Sequence, residues 1–406
     1  MQRHTASALA LTAALAAAPA LAQDKVDEGP EERPDIEPAF AEQTNAPALD
    51  SDVEIATQTV ADGLVHPWGI AVLPGDAGYL VTERPGRLRH VAEDGTLSQP
   101  VEGLPQVYHQ EQGGLLDVTL APDFADSRRV YLTYAKPMGD GMSGTAAAYG
   151  TLSEDRTQLT DVQEIFVQEP PSPTPMHYGS RLVFDGDGHV YITTGEHFTE
   201  DERHYAQDMD TTYGKIVRLT PEGEVPEGNP FAGDGMPQAQ IWSLGHRNIQ
   251  GAAMRPGTEE FWIIEHGPAG GDELNLIEAG ANYGWPEVSY GKNYDGSPVT
   301  GGDYRHEEAG FTPPRYYWDP VIAPGDMTFY QGELFADWQG DVLASGLVSG
   351  GLARLELDGQ TVVGEDRHVS DLGRVRDVAV DQDGSILVIT DYEDGRLVRL
   401  TPQSAS

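Results

Sequence analysis

A histidine able to accept a proton near neutral pH lies at His177, in the run Met176-His177-Tyr178-Gly179-Ser180-Arg181. Glu196, in Thr194-Gly195-Glu196, ends the paired strand that follows and is placed to hold the other ring nitrogen. No Gly-x-Ser-x-Gly elbow is present, so serine hydrolysis has no support. Further polar residues recur just before apolar runs: His66, Gln112, His246-Arg247-Asn248, Arg374 and Arg376. Arginines gathered in this way in a chain of formal charge −41 imply a bound anion. The densest segment is His266-Gly267-Pro268-Ala269-Gly270-Gly271-Asp272-Glu273-Leu274-Asn275, followed by Asn282-Tyr283-Gly284-Trp285-Pro286. Its glycines free the backbone to turn carbonyls outward. Carbonyls with Asp272 and Glu273 form a hard oxygen donor set that suits Ca²⁺ better than zinc, although the spacing is not that of an EF-hand.

These residues need elements to position them. Six short apolar runs start at Trp68, Leu115, Arg181, Gln250, Met327 and Val375, and each is followed by a second run, at Tyr79, Val130, Val190, Phe261, Val342 and Ile386. Turn chemistry joins several pairs, as in Pro74-Gly75, Asp185-Gly186-Asp187-Gly188, Pro256-Gly257 and Asp383-Gly384. A third run often follows, at Gly86, Gly214 and Gly395. A lone unit of this kind cannot bury both faces, whereas a closed ring of six can. The expected fold is therefore all-β, a six-bladed β-propeller with long inter-strand loops over residues 53–406. In that fold the polar residues before each first strand fall on one mouth of the central channel.

Composition bounds the chemistry. Asp and Glu number 66 against 25 Lys and Arg, which excludes a non-specific nucleic-acid binder and docking on anionic lipid. There is no cysteine, so disulfides, thiolate catalysis, Fe–S clusters and covalent c-type haem are excluded. Residues 1–22 read as a cleaved signal peptide: Arg3 and His4, an Ala/Leu run, then Ala20-Leu21-Ala22. The expected location is periplasmic or secreted, with no membrane span. Residues 23–52, rich in Asp, Glu and Pro, read as a disordered acidic leader.

Taken in order, Gln112-Gly113-Gly114-Leu115-Leu116, Ala121-Pro122-Asp123-Phe124, the His177 segment, Gly195-Glu196, Tyr213-Gly214-Lys215, Gly245-His246-Arg247-Asn248-Ile249-Gln250-Gly251, the His266–Trp285 segment and Arg374-Val375-Arg376-Asp377-Val378 resemble the soluble pyrroloquinoline quinone (PQQ)-dependent sugar dehydrogenases, especially their aldose sugar dehydrogenase branch. The resemblance runs from His66 to Pro402. It implies a six-bladed propeller, PQQ and Ca²⁺ as cofactors, a sugar as substrate and an external electron acceptor. It implies His177 as general base, oriented by Glu196, with Arg247 stabilising developing oxyanion charge. Gln112, Arg247, Asn248, Arg374 and Arg376 match cofactor-contacting positions, and Asp272 is similar to a nearby site acid. Gly267 and Pro268 match carbonyls on a catalytic Ca²⁺; Glu273 and the Tyr283 carbonyl match a second Ca²⁺ site. The implied reaction is oxidation of an aldose to its lactone by hydride transfer to the quinone.

One departure stands out. The family carries a cofactor-facing lysine where this chain has Val348, and no lysine follows Lys292. Losing one charged hydrogen bond to a tricarboxylate weakens binding by about 1.5–3 kcal/mol. Arg354 is a nearby candidate substitute. Val348 also keeps open a cofactor-less propeller that binds carbohydrate or protein, and the fold alone leaves room for a Ca²⁺-dependent lactonase.

Overall fold

Strand-forming runs broken by glycine turns fold here into six antiparallel sheets. The computed structural model describes residues 24–26, 29–51, 53–299 and 310–403, so the expected signal peptide at 1–22 lies outside the described residues. Strand β1 (Ile55–Leu64) comes first. Blade one holds β2 (Pro67–Val72), β3 (Tyr79–Glu83) and β4 (Arg87–Val91). Blade two holds β5 (Leu115–Leu120), β6 (Arg129–Pro137), β7 (Ser143–Leu152) and β8 (Leu159–Val167). Blade three is β9 (Gly179–Phe184), β10 (Val190–Thr194), β11 (Lys215–Leu219) and β12 (Ile241–Leu244). Blade four is β13 (Ile249–Met254), β14 (Phe261–Glu265), β15 (Asp272–Ile277) and β16 (Tyr316–Trp318). Blade five is β17 (Pro324–Phe329), β18 (Val342–Gly346), β19 (Leu352–Asp358) and β20 (Thr361–His368). Blade six is β21 (Val375–Val380), β22 (Ile386–Thr390) and β23 (Gly395–Pro402), completed by β1 on its outer edge.

The first strands β2, β5, β9, β13, β17 and β21 pack side by side in a closed cycle, so they line the channel. Both faces of each sheet are buried against neighbours, which is why inner runs such as Ile386–Ile389 are continuously apolar. Each of six core clusters fills one gap between adjacent blades; Trp262, Ile264 and Leu274 of blade four, for example, meet Met327, Phe329 and Leu355 of blade five. Burying one such side chain contributes about 1.5–3 kcal/mol. The ring shuts where β1 pairs with β23, Ile55 opposite Pro402 and Leu64 opposite Gly395, joining the two ends of the propeller. No free blade face is left at the seam, and the six-bladed expectation holds.

Each inner strand is entered through a left-handed residue: His66 (φ 45°), Gly114 (152°), His177 (48°) with Gly179 (65°), Gly245 (80°), Ala323 (50°) and Gly373 (73°). These turns bring the chain from the outside of one blade to the channel of the next. They recur at one mouth, and the candidate site is built from them. At Gly179 the turn also demands a missing side chain, because a Cβ would lie 2.6 Å from the Thr194 carbonyl carbon.

The expectation of a disordered leader is corrected. Residues 29–49 lie along the outer edges of blades four and five, with Gln43 and Ala46 buried. Leu49 donates its amide to the Glu365 carbonyl (2.8 Å), and Glu365 returns its own to Pro47 (2.9 Å). The segment has few large apolar residues (Ile36, Phe40 and Leu49), so a hydrophobicity argument misses it. It is held by backbone groups and a few buried polar side chains on strand edges that would otherwise be unpaired.

Candidate active site

Four of the expected residues, Gln112, Asn248, Arg374 and Arg376, meet at one pocket of about 340 Å³ in the channel mouth. Trp68, Arg84, His266 and Asp391 line it too, and sequence reasoning missed their role. Asp391, on the turn after β22, organises the cations. Its carboxylate accepts from His66 Nδ1 (2.8 Å) and Arg374 Nη2 (3.0 Å), with Arg376 Nη2 at 3.4 Å and Arg84 Nη2 at 3.9 Å. Burial pushes the Asp391 carboxyl up, but Arg376, His66, Arg84 and Arg374 outweigh it and hold it well below the usual carboxylate range. Burial lowers Arg376 to about 10, with Asp391 opposing and Arg374 and Arg84 adding to the effect. Three guanidiniums surround one carboxylate, and the Nε atoms of Arg84 and Arg376 are buried without a hydrogen-bond partner. Surplus positive charge and unsatisfied donors fit an anion with several carboxylates, which is the chemistry of PQQ.

Val348 is 67% exposed beside Leu347 at the rim and brings no charge. Arg354 does not replace the missing lysine. It stacks on Trp338 (5.0 Å) and faces Asp341 and Asp366 at 3.5 and 3.3 Å, away from the pocket. The added cation on the pocket wall is Arg84, from the turn after β3.

His177 is buried and is not itself part of the pocket lining, to which its chain neighbours Met176 and Tyr178 contribute. Its backbone amide donates to Gln112 Oε1 (2.9 Å), and Asn248 Oδ1 accepts from the Gly179 amide (3.1 Å). Its Nδ1 lies 3.2 Å from Glu196 Oε2, and its ring meets Phe198 edge-on at 5.1 Å. Glu196 is fully buried. Burial raises its carboxyl, but His177, Arg247 and the Phe198 amide outweigh this and keep it below the ordinary range, hence ionised. An ionised Glu196 assigns the proton to Nδ1 and leaves Nε2 as the basic nitrogen. Burial lowers the His177 pKa, Glu196 opposes that and Arg247 reinforces it. Arg247 closes the network: its Nε lies 4.0 Å from Glu196 Oε1, Nη1 donates to the Gly267 (2.7 Å) and His266 (3.1 Å) carbonyls, and the guanidinium rests on Trp285 (5.2 Å).

Gly267, Pro268, Glu273 and Tyr283, the four residues expected to hold cations, line one small cavity of about 10 Å³ with Arg247 and Glu265. Asn275 Nδ2 bridges Glu265 and Glu273, at 3.2 Å from each. Burial pushes the Glu273 carboxyl well up, and Glu265 adds to it. Among the described residues no group of three or more His, Cys, Asp and Glu side chains is arranged to hold a metal. The candidate donors are instead the loop's backbone carbonyls, of which Gly267 O already accepts from Arg247, and the crowded Glu265 and Glu273 carboxylates, an oxygen set whose chemistry suits a hard cation. Gly267 permits the turn, since a Cβ there would lie 2.3 Å from the Gly271 carbonyl.

Three residues hold positions other than expected. Arg247, expected at the cofactor, lines the smaller cavity and not the 340 Å³ pocket. Asp272 does not line the pocket; its oxygens accept from the Gly267 (2.8 Å) and Ala323 (2.7 Å) amides, tying the glycine loop to the entry of β17. His246, read as a rim residue, is fully buried between Ser243 Oγ (2.9 Å) and Glu265 (3.0 Å), stacked on Tyr283.

Beneath the pocket, all six inner strands contribute to a polar ring. Arg181 of β9 reaches Asp117 (3.0 Å), Asp326 (3.1 Å) and Asp377 (3.2 Å), donates to the Gln250 and Gly325 carbonyls, and stacks on Trp68 at 4.3 Å.

Comparison with known proteins agrees with this geometry. The family model described as Glucose / Sorbosone dehydrogenase matches residues 64–399. The chain is 42% identical over 353 residues to an aldose sugar dehydrogenase of Escherichia coli (strain K12), covering 86% of this chain and 94% of that one. It is 25% identical over 411 residues to quinoprotein glucose dehydrogenase B of Acinetobacter calcoaceticus, covering 82% of this chain and 85% of that one. The apo crystal structure of the E. coli soluble aldose sugar dehydrogenase superposes with a TM-score of 0.82 at 43% identity, covering 86% of this chain and all of that one. The PQQ-bound aldose sugar dehydrogenase of Streptomyces coelicolor superposes with a TM-score of 0.70 at 29% identity, covering 86% of this chain and 99% of that one. The chain belongs to the glucose/sorbosone dehydrogenase family.

Proposed function

We propose that this protein is an exported, PQQ- and Ca²⁺-dependent oxidoreductase that converts aldoses to lactones and passes the electrons to an external acceptor. The observation that carries the reading is the buried His177–Glu196 pair set against a pocket with a surplus of arginine. Arg84, Arg374, Arg376, Gln112 and Asn248 would seat the carboxylates and polar edge of PQQ, which supplies the hydride acceptor when bound. The Gly267 and Pro268 carbonyls would hold one Ca²⁺, a Lewis acid, and Glu273 with the Tyr283 carbonyl a second.

Within this frame the chain's own groups act as follows. His177 Nε2 takes the proton of the anomeric hydroxyl, while ionised Glu196 fixes the ring through Nδ1 and stabilises the imidazolium that forms. Arg247 sits close enough to Glu196 and the 266–267 carbonyls to present positive charge where oxyanion character grows. Burial of His177 keeps it neutral, and so ready, at neutral pH. Asp272 holds the glycine loop in register. Among the described residues no helix is long and apolar enough to cross a membrane. Export rests on residues 1–22.

The test is reconstitution of the purified protein with PQQ and Ca²⁺, followed by a panel of aldoses and a redox dye. Turnover that EDTA abolishes supports the reading. PQQ binding without reduction by any aldose removes the substrate class. Failure to bind PQQ favours the cofactor-less binding protein that Val348 left open, and lactone hydrolysis without added quinone would identify a lactonase.

A further inference from the structure

Residues 29–49 precede the span that the family model matches, 64–399. They nevertheless grip the scaffold of the glycine loop. The amides of Glu32 and Arg33 both donate to the Asp319 carboxylate, at 2.9 and 2.8 Å. Asp35 pairs with the Arg33 guanidinium at 2.9 and 2.8 Å, and that buried guanidinium also donates through Nη1 to the Gly291 carbonyl (3.2 Å). Lys292 Nζ reaches the Glu32 carbonyl (3.0 Å) and its carboxylate (2.8 Å). Farther along, Gln43 accepts from the Tyr290 hydroxyl (3.0 Å) and donates to the Pro314 carbonyl (2.8 Å).

The gripped residues are those that flank the loop. Ala269 and Lys292 exchange both backbone hydrogen bonds, each 2.9 Å, and the Gly271 amide donates to the Trp318 carbonyl next to Asp319 (2.9 Å). Contact is close throughout. A Cβ on Gly291 would lie 2.8 Å from Pro268 Cγ, and one on Gly270 would lie 2.9 Å from Asp319 Oδ1 and 3.3 Å from Glu32 Cβ. A short chain of rigid contacts therefore runs from Arg33 through Gly291 to Pro268, and from Glu32 through Asp319 to Gly270.

We infer that residues 29–49 are a strap whose Arg33 and Asp319 contacts are positioning elements for the Gly267–Gly271 turn, and that they set its affinity for Ca²⁺. The second half of this inference rests on the proposed function, since it takes the Gly267 and Pro268 carbonyls as cation ligands. Residues one shell out from metal ligands commonly change affinity by about 10–100-fold, and the strap stands one shell farther, so about tenfold is the expected scale.

The experiment uses the purified protein and two readouts. Hydrogen–deuterium exchange of amides 266–292, without added ion, reads the loop directly. Calorimetric titration with Ca²⁺ alone reads its consequence. The variants are Arg33→Met and Asp319→Asn, with Leu49→Ala as control: Leu49 packs over Gly364 at the far end of the strap, so its truncation costs stability without touching the loop. Arg33→Met and Asp319→Asn are expected to speed exchange at 266–292 and weaken Ca²⁺ binding about tenfold, while Leu49→Ala lowers the melting temperature and leaves both unchanged. Unchanged exchange in both loop-side variants overturns the strap's positioning role, as does an equal effect from Leu49→Ala. Faster exchange with unaltered Ca²⁺ affinity overturns the link to the cation. No Ca²⁺ uptake by the unaltered protein removes the cation reading itself, while the exchange readout still decides the strap.

Discussion

Replacing Arg181 with methionine removes the cation that holds Asp117, Asp326 and Asp377 within 3.0–3.2 Å in a buried ring. Methionine keeps most of the side-chain volume, so the loss is electrostatic more than one of packing. Removing one partner of a buried ion pair costs about 3–5 kcal/mol, because a desolvated charge is left behind. Here three carboxylates lose their partner, and the stacking on Trp68 is lost as well, so the upper half of that range is expected. Burial already raises Asp117 and Asp326 in the intact protein, with Arg181 opposing it. Without Arg181 both rise further. A group whose pKa is raised by folding stabilises at low pH, and that contribution is lost as pH climbs through the folded pKa. The destabilisation should therefore be largest at pH 8 and shrink toward pH 5. The assay is urea unfolding followed by tryptophan fluorescence, comparing midpoints at equal slope. Adding Asp326→Asn to the variant should recover part of the loss. A cost below about 1 kcal/mol at pH 8, or the same cost at both pH values, would refute the reasoning.

Four further outcomes follow from the site. Arg84→Ala should weaken PQQ binding by about 1.5–3 kcal/mol, read by quenching of intrinsic fluorescence, with a shallower salt dependence; unaltered affinity would show that Arg84 does not stand in for the lysine Val348 lacks. Because burial lowers the His177 pKa, the acid limb of kcat/KM should fall below pH 6.5. Glu196→Gln removes the partner that raises that pKa, so the limb should move lower still while kcat drops; a limb moving upward would contradict the pairing. Gly179→Ala forces a side chain into a φ of 65° against the Thr194 backbone. It should cost about 1–3 kcal/mol and lower kcat through His177, measured by thermal unfolding beside steady-state kinetics.

The six blades were legible because each inner strand is a short apolar run closed by a glycine turn, a local pattern needing no partner. The weaker strands were not. In β7, Ser-Gly-Thr-Ala-Ala-Ala-Tyr-Gly-Thr-Leu carries little strand signal of its own and is held by pairing between β6 and β8. Residues such as His177 and Gln112 could be placed because they precede inner strands. Arg84 and Asp391 could not, since they belong to turns in the first and last blades and become neighbours only when β1 closes the ring on β23. Arg181 was counted simply as the start of an apolar run, and its three aspartate partners come from three other blades. The leader was misjudged because its docking depends on hydrogen bonds to distant edges, which composition does not record.

The central claim is that His177, held by Glu196, removes the proton when an aldose is oxidised in the arginine-lined pocket. The most direct measurement is stopped-flow absorbance of one equivalent of PQQ on the Ca²⁺-loaded protein, mixed with excess aldose, for the unaltered protein and for His177→Gln. The account predicts rapid bleaching of the bound cofactor in the unaltered protein, and in the variant equal PQQ affinity with bleaching slowed at least about 100-fold. Equal bleaching rates in the two proteins would contradict it.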